Sequence, residues 1–222
     1  MDILEAMRQR HSVRQYRDTP LPAEVRDRLQ AEIEACNREG DLHLQLIADE
    51  PGAFTGALAH YGRFSGVANY IAVVGKPAPD LEERAGYYGE RLVLLAQQLG
   101  LNTCWVALSF SKRKTRYTLD DGEKLLLVIA LGYGAGPGVP HRSKPMSRLV
   151  RCDGPMPEWF RLGAEYAMLA PTAVNQQKFL LELTAGGAVR ATALRGPWSR
   201  LDLGIVKYQF EQAAGPENFT WA

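Results

Sequence analysis

Ala170-Pro171-Thr172-Ala173-Val174-Asn175-Gln176-Gln177 is the stretch on which the reading of this chain turns. Pro171 fixes a bend. Thr172 and Ala173 are small enough to let the backbone approach a flat ring. Asn175 offers an amide donor and a carbonyl acceptor together, a pairing that suits the polar edge of a heteroaromatic ligand. The same residues also read as a helix C-terminus and the loop before a strand.

Working outward, residues 179–183 and 189–194 are apolar and strand-like, with Gly186-Gly187 as the turn between them. Helical patterns precede them at 158–169 and follow at 201–214. The Pro/Gly-rich run 152–157 marks the best boundary in the chain and divides it into residues 1–152 and 153–222. The first part opens on a short helix that Asp2 can cap, with Ile3, Leu4 and Met7 on one side. Thr19-Pro20-Leu21-Pro22 is a stiff connector, and Pro22 suits the first turn of a helix running to about residue 36, stopped by Asn37 and Gly40. Leu42, Leu44 and Leu46 alternate with polar residues as in a half-buried strand. Residues 51–63 read as a loop with a short helical turn. Residues 70–74 form a buried strand, and 82–99 form the strongest helix, with Tyr88, Leu92, Leu95, Ala96 and Leu99 at helical spacing. Residues 125–132 read as a central strand. Helix, strand, strand, helix thus occurs twice, once long and once short. Either an internal duplication or the commonness of that order accounts for it.

A chain of 222 residues can bury a substantial core. At 46% hydrophobic and 23% charged it is ordinary globular, and a net charge of +1 gives no reason to expect nucleic acid or a membrane surface as partner. Cys36, Cys104 and Cys152 form no CxxC pair and read as reduced structural thiols. His11, His43, His60 and His141 fall at no ligand spacing, so no metal is expected. No run approaches the roughly 20 apolar residues of a membrane span, and no signal-like segment opens the chain. The expectation is a soluble, cytoplasmic protein. Gly132-Tyr133-Gly134-Ala135-Gly136-Pro137-Gly138 follows a strand but is not GxGxxG, and no helical pattern follows it to receive a pyrophosphate.

Arg10, Ser12, Arg14 and Tyr16 lie at alternating positions. In an extended segment all four project from one face, and two guanidiniums with a hydroxyl suit a phosphate. From spacing alone a solvated basic turn after a helix is the better reading, because Arg also relieves the helix C-terminal dipole. Arg142, Lys144 and Arg148 make a second basic cluster, which taken alone reads as a solvated loop.

Arg-x-Ser-x-Arg-x-aromatic after a short first helix is similar to the opening of nitroreductase-like flavoproteins, and the 170–177 stretch resembles that family's Ala-Pro-Ser-x-x-Asn-x-Gln-Pro element. Lys178 and Phe179 stand where Pro and Trp are usual. The basic segment 142–148 resembles the family's late Lys-Pro segment, and 86–106 its long core helix and following strand. The resemblance implies FMN as cofactor. Arg10, Ser12 and Arg14 would hold its phosphate and ribityl chain, with Arg142 and Lys144 also reaching the phosphate. Pro171, Thr172, Ala173 and Asn175 would meet the ring, Asn175 at the N3–H/O4 edge. The backbone from Val106 to Leu108 would lie near the ring.

The implied fold is α+β, a mixed or antiparallel central sheet with flanking helices in two unequal halves that mimic a dimer. In the family the two elements come from different subunits. Here they lie far apart in one chain, which implies a single composite site in a monomeric pseudo-dimer or a weak homo-oligomer. The implied activity is ping-pong hydride transfer from NAD(P)H to a nitroaromatic, quinone or similar small-molecule acceptor, with no catalytic side chain required. The alternatives are a non-catalytic flavin- or ligand-binding protein and a degenerate member without FMN.

Overall fold

The computed structural model describes all residues, 1–222. In chain order the first elements are α1 (Ile3–Gln9), α2 (Ala23–Gly40), β1 (Gln45–Ile47), α3 (Ala57–Tyr61) and β2 (Asn69–Gly75). The middle holds α4 (Leu81–Gln98), β3 (Asn102–Val106) and β4 (Lys124–Gly132). The last are β5 (Val150–Cys152), α5 (Glu158–Ala167), β6 (Phe179–Leu183), β7 (Val189–Ala193) and α6 (Ser199–Ala214). This is an α+β architecture, built on two sheets rather than one.

Two compact units are interleaved along the chain. One comprises Gln9–Leu81 and Leu92–Pro140, the other Met1–Arg8, Glu82–Arg91 and His141–Ala222. The last crossing between units falls at 140–141. The Pro/Gly-rich run 152–157 instead lies inside the second unit, between β5 and α5.

The first unit is built on a four-stranded antiparallel sheet in the order β1-β2-β4-β3. β2 is buried along its whole length, as is nearly all of β4, which is why both read as continuous apolar runs rather than alternating ones. α2 runs past Cys36 to Gly40. Asn37 does not stop it. Its side chain amide donates to the Leu44 carbonyl at 3.0 Å and accepts the Leu44 N–H at 2.7 Å, tying the helix to the chain that leads into β1. The turn comes at Asp41, in the left-handed region at φ 46°. The ladder of β1 is accordingly short. Leu42 and Leu44 are buried, but they lie before it.

The second unit holds a three-stranded sheet in which β5 runs parallel to β6 and β6 antiparallel to β7. Asp2 caps α1 by accepting the Glu5 N–H at 2.8 Å. Within this unit, residues 82–91 of α4 cross α6 at very short range. A Cβ on Gly86 would lie 2.0 Å from the Leu201 carbonyl oxygen, and one on Gly204 would lie 1.9 Å from that of Glu83. Glycine at both positions is what permits the crossing. The chain end Phe219 and Trp221 pack on Phe210 of α6, and Val189 exchanges backbone bonds with Thr220 and Ala222. No helix is long and apolar enough to cross a membrane.

Candidate functional site

In the first unit, residues 10–16 lie as an irregular extended strip beside β3. Ser12 bridges Thr103 in parallel, and the Val13 N–H donates to the Thr103 carbonyl at 3.0 Å. Further along, Ser65 N–H donates to the Arg14 carbonyl at 3.0 Å and Tyr16 N–H to the Ser65 carbonyl at 2.9 Å. Main-chain bonds therefore fix most of the shape of the strip.

Its side chains do not alternate to the end. Arg10 is buried, Ser12 half-buried and Arg14 exposed. Tyr16 turns into the core that also takes Val13, Phe64, Tyr70 and Cys104. Its hydroxyl donates to the Val13 carbonyl at 2.8 Å. The expectation that Tyr16 shares a face with Arg10, Ser12 and Arg14 is thus corrected. The strip changes bridge partner from Thr103 to Ser65 to Gly134, and a chain that changes partners loses the strict two-residue period.

Arg10, Ser12 and Arg14 all bear on one group, the buried thiol of Cys104. Burial pushes that thiol up, while the Arg14 charge, a bond from Ser12 and the Arg10 charge pull it down. Two guanidinium charges and a hydroxyl in one short segment are the group types that a phosphate needs. Arg14 also lies with its guanidinium 5.9 Å from the Phe64 ring centre. Val106 ends β3 buried, and two residues on Leu108 is 75% exposed. The backbone from 106 to 108 therefore carries the chain from the core to the surface.

The second unit holds the other group. Residues 172–177 form a tight turn with three non-glycine residues in the left-handed region, Val174 at φ 47°, Asn175 at φ 55° and Gln177 at φ 45°. Side chains hold this shape. The Thr172 hydroxyl accepts the Gln177 N–H at 3.0 Å. The buried Gln177 amide donates to the Arg142 carbonyl at 2.8 Å and the Asn175 Oδ1 at 2.8 Å, and it accepts the Lys144 N–H at 2.7 Å. Asn175 Nδ2 donates to the same Arg142 carbonyl at 3.0 Å. Lys144 Nζ donates to the carbonyls of Gln176 at 2.6 Å and Gln177 at 3.1 Å.

The structure so brings Arg142, Lys144, Thr172, Ala173 and Asn175 together, but in roles that spacing does not show. The amide of Asn175 is engaged at both ends inside the turn rather than held open. Lys144 lends two N–H groups to the turn's carbonyls. Arg142 contributes its backbone oxygen while its side chain is exposed. Asp202, in the first turn of α6, is 3% exposed. Its Oδ1 accepts the Ala173 N–H at 3.0 Å and its Oδ2 accepts from Gln176 Nε2 at 2.8 Å. Burial raises its carboxyl to about 6 against the opposing pull of the Gln176 and Ala173 bonds.

Three contributors carry no assigned role in a reading of the sequence, and two of them leave almost no signal there. Cys104 enters only through the pairing of the strip with β3. Gln177 stands in the resembling motif itself and was legible there as a polar residue at a fixed position. Asp202 shows only as an acid among Leu201, Leu203, Ile205 and Val206. Elsewhere, His43, Asp120 and Glu123 hold their ligand-type atoms within 4.8 Å of one another. His43 Nδ1 lies 2.7 Å from Glu123 Oε2, which also accepts the Asp120 N–H. Burial raises the Glu123 carboxyl, and its His43 and Asp120 bonds with the charges of His43 and Lys76 lower it further, to a net position below the usual range. A neighbouring lysine charge makes this an ion-paired cluster rather than an evident cation site.

The mixed helix-and-sheet scaffold is that of a nitroreductase-like fold. The family model described as "Putative TM nitroreductase" matches residues 2–214, and the chain belongs to that family. Three solved structures share the fold. A nitroreductase from Thermotoga maritima aligns with a TM-score of 0.65 at 22% identity, over 95% of this chain and 82% of that one. A nitroreductase in complex with FMN from Desulfovibrio desulfuricans gives 0.53 at 22% identity, over 71% of this chain and 99% of that one. An NADH dehydrogenase/NAD(P)H nitroreductase from Parabacteroides distasonis gives 0.52 at 23%, over 66% and 95%. No curated protein matches the chain.

Proposed function

We propose that the chain is an FMN-dependent NAD(P)H oxidoreductase that reduces nitroaromatic, quinone or similar small acceptors by a ping-pong route. The observation that carries this reading is the family's fold with Arg10, Ser12 and Arg14 on one short strip paired with β3. Family membership and the FMN complex of a relative with the same fold support it. FMN, when bound, supplies the hydride chemistry itself, so no side-chain acid, base or nucleophile is assigned. Arg10 and Arg14 bind and neutralise the phosphate, and Ser12 adds a hydroxyl bond. The backbone at 106–108 borders the ring, and Pro171, Thr172, Ala173 and Asn175 shape the contact at its polar edge. The free thiols of Cys36, Cys104 and Cys152 suit a reducing cytoplasm.

The closed bonding of Asn175 and Lys144 favours a second reading, a family member that keeps the fold without flavin turnover. The visible spectrum of the purified protein separates the two. A flavin spectrum, with FMN released in about one copy per chain and NAD(P)H oxidised on addition of an acceptor, supports the first. A colourless protein that fails to bind added FMN overturns it.

A further inference from the structure

We propose that Asp202 is the positioning residue of the flavin-ring segment: its carboxylate fixes the turn at residues 172–177 by holding both of its flanks. The proposal rests on the flavin reading above. It stands on geometry that reading does not use. Oδ1 takes the backbone N–H of Ala173 at 3.0 Å, and Oδ2 takes the side chain N–H of Gln176 at 2.8 Å. One rigid, buried group thus spans the three-residue rise that contains Val174 and Asn175. Gln176 Nε2 also donates to the Pro197 carbonyl at 2.7 Å, so the loop entering α6 closes the far side. Helix α6 starts right there, after Trp198 in the left-handed region at φ 61°.

The choice of residue type is telling. Two donors arrive at two different oxygens. A carboxylate accepts at both, whereas an asparagine of the same shape, or a protonated carboxyl, has one acceptor oxygen and one donor. An ionised acid is expensive to bury without a cation. No lysine or arginine contributes to its shift. Compensation comes from the Ala173 and Gln176 donors and from the helix dipole at the first turn of α6. A group retained at a cost to stability, and bonded to the one turn where three non-glycine residues adopt positive φ, is retained for the shape it imposes.

The test uses the full chain and Asp202→Asn, with Gln176→Ala as the second variant. FMN affinity is read by flavin fluorescence quenching at about pH 7.5 only, because the phosphate of FMN titrates near pH 6. Asp202→Asn is expected to weaken FMN binding about tenfold or more, the loss of one charge-assisted bond, while melting temperature stays equal or rises. Gln176→Ala is expected to weaken it to a similar extent. Amide hydrogen exchange over 172–177 without FMN supplies a readout independent of flavin. Exchange in Asp202→Asn at about pH 7.5, corrected for intrinsic rates, should match that of the wild type at about pH 5. Wild-type protein that binds FMN with both variants binding equally well overturns the positioning role and leaves the flavin reading standing. Wild-type protein that binds no FMN overturns the flavin reading and the role together. Exchange over 172–177 that is unchanged in both variants overturns the role by itself.

Discussion

The strip at residues 10–16 and the turn at 172–177 are both irregular, both polar and both matched to one family element, yet they are built in opposite ways. In the strip, main-chain bonds to Thr103 and Ser65 fix the shape. The side chains of Arg10, Ser12 and Arg14 act on the Cys104 thiol. In the turn, the fixing is done by side chains. Thr172, Asn175, Gln177, Lys144 and Asp202 all contribute bonds to it. A backbone-built site can lose one of its side chains at little cost to its shape. In a turn built from side chains, groups that would meet a ligand, Thr172 and Asn175, are among those that hold its shape.

The sharpest way to break this contrast is to remove one side chain from each. Gln177→Ala deletes a buried amide that serves Arg142, Asn175 and Lys144 and leaves a cavity. It should lower unfolding free energy by about 4 kcal/mol. Ser12→Ala should change it by less than about 1 kcal/mol. Urea titrations of the two variants, compared at equal m-value, check the pair. Equal losses would mean that the strip too depends on its side chains.

Asp202 gives the contrast a pH axis. Burial raises its carboxyl from 3.8 to about 6 in the folded protein. The folded state therefore holds this proton more tightly than the unfolded chain does. The resulting stabilisation is fully present below about pH 4 and is lost as pH rises through about 6. At about 1.4 kcal/mol per unit the swing is at most roughly 3 kcal/mol. Unfolding free energy measured across that window should lose this component in Asp202→Asn and keep it in Ser12→Ala.

Most of the scaffold was legible because it depends on apolar period alone. The buried runs of β2 and β4, the helical stripes of α4 and α6 and the Gly186-Gly187 turn all stand where the pattern places them. What escaped was set by contacts between distant residues. Asn37 reads as a helix stop, but its bonds to Leu44 carry α2 one turn further. Alternation puts Tyr16 on one face with Arg10, Ser12 and Arg14, but the strip's change of partner sends it to the core. The site divides in the same way. Arg10, Ser12 and Arg14 sit close together in sequence and could be read as a unit. The turn depends on Arg142, Lys144 and Asp202, about 30 residues to either side, and no spacing rule reaches them.

A smaller effect separates the strip's charge from its scaffold. Arg14 is exposed, and only its carbonyl takes part in the pairing of the strip. Arg14→Ala should leave the melting temperature nearly unchanged and weaken FMN binding by about thirtyfold, the value of one charge-assisted phosphate contact near 2 kcal/mol. Arg14→Lys should recover only part of this, since a single ammonium replaces a planar fork. Fluorescence titration of both variants checks the order.

The smallest change tests whether the turn's strain is real. Val174 sits at φ 47° and is 93% exposed. It makes no side-chain bond that Gly would lose, and a β-branched residue in the left-handed region is held there against its preference. Val174→Gly removes that penalty but also frees the unfolded chain, and the two effects oppose each other. The net expected result is a gain of about 1 kcal/mol, because strain for a β-branched residue exceeds the entropy that glycine adds. An equivalent change in the strip, Val13→Gly, should go the other way by more than that, since Val13 is buried in the core beside Tyr16. If Val174→Gly instead destabilised the protein, the turn would be an ordinary low-energy loop, and the view that its side chains hold it against backbone preference would fall.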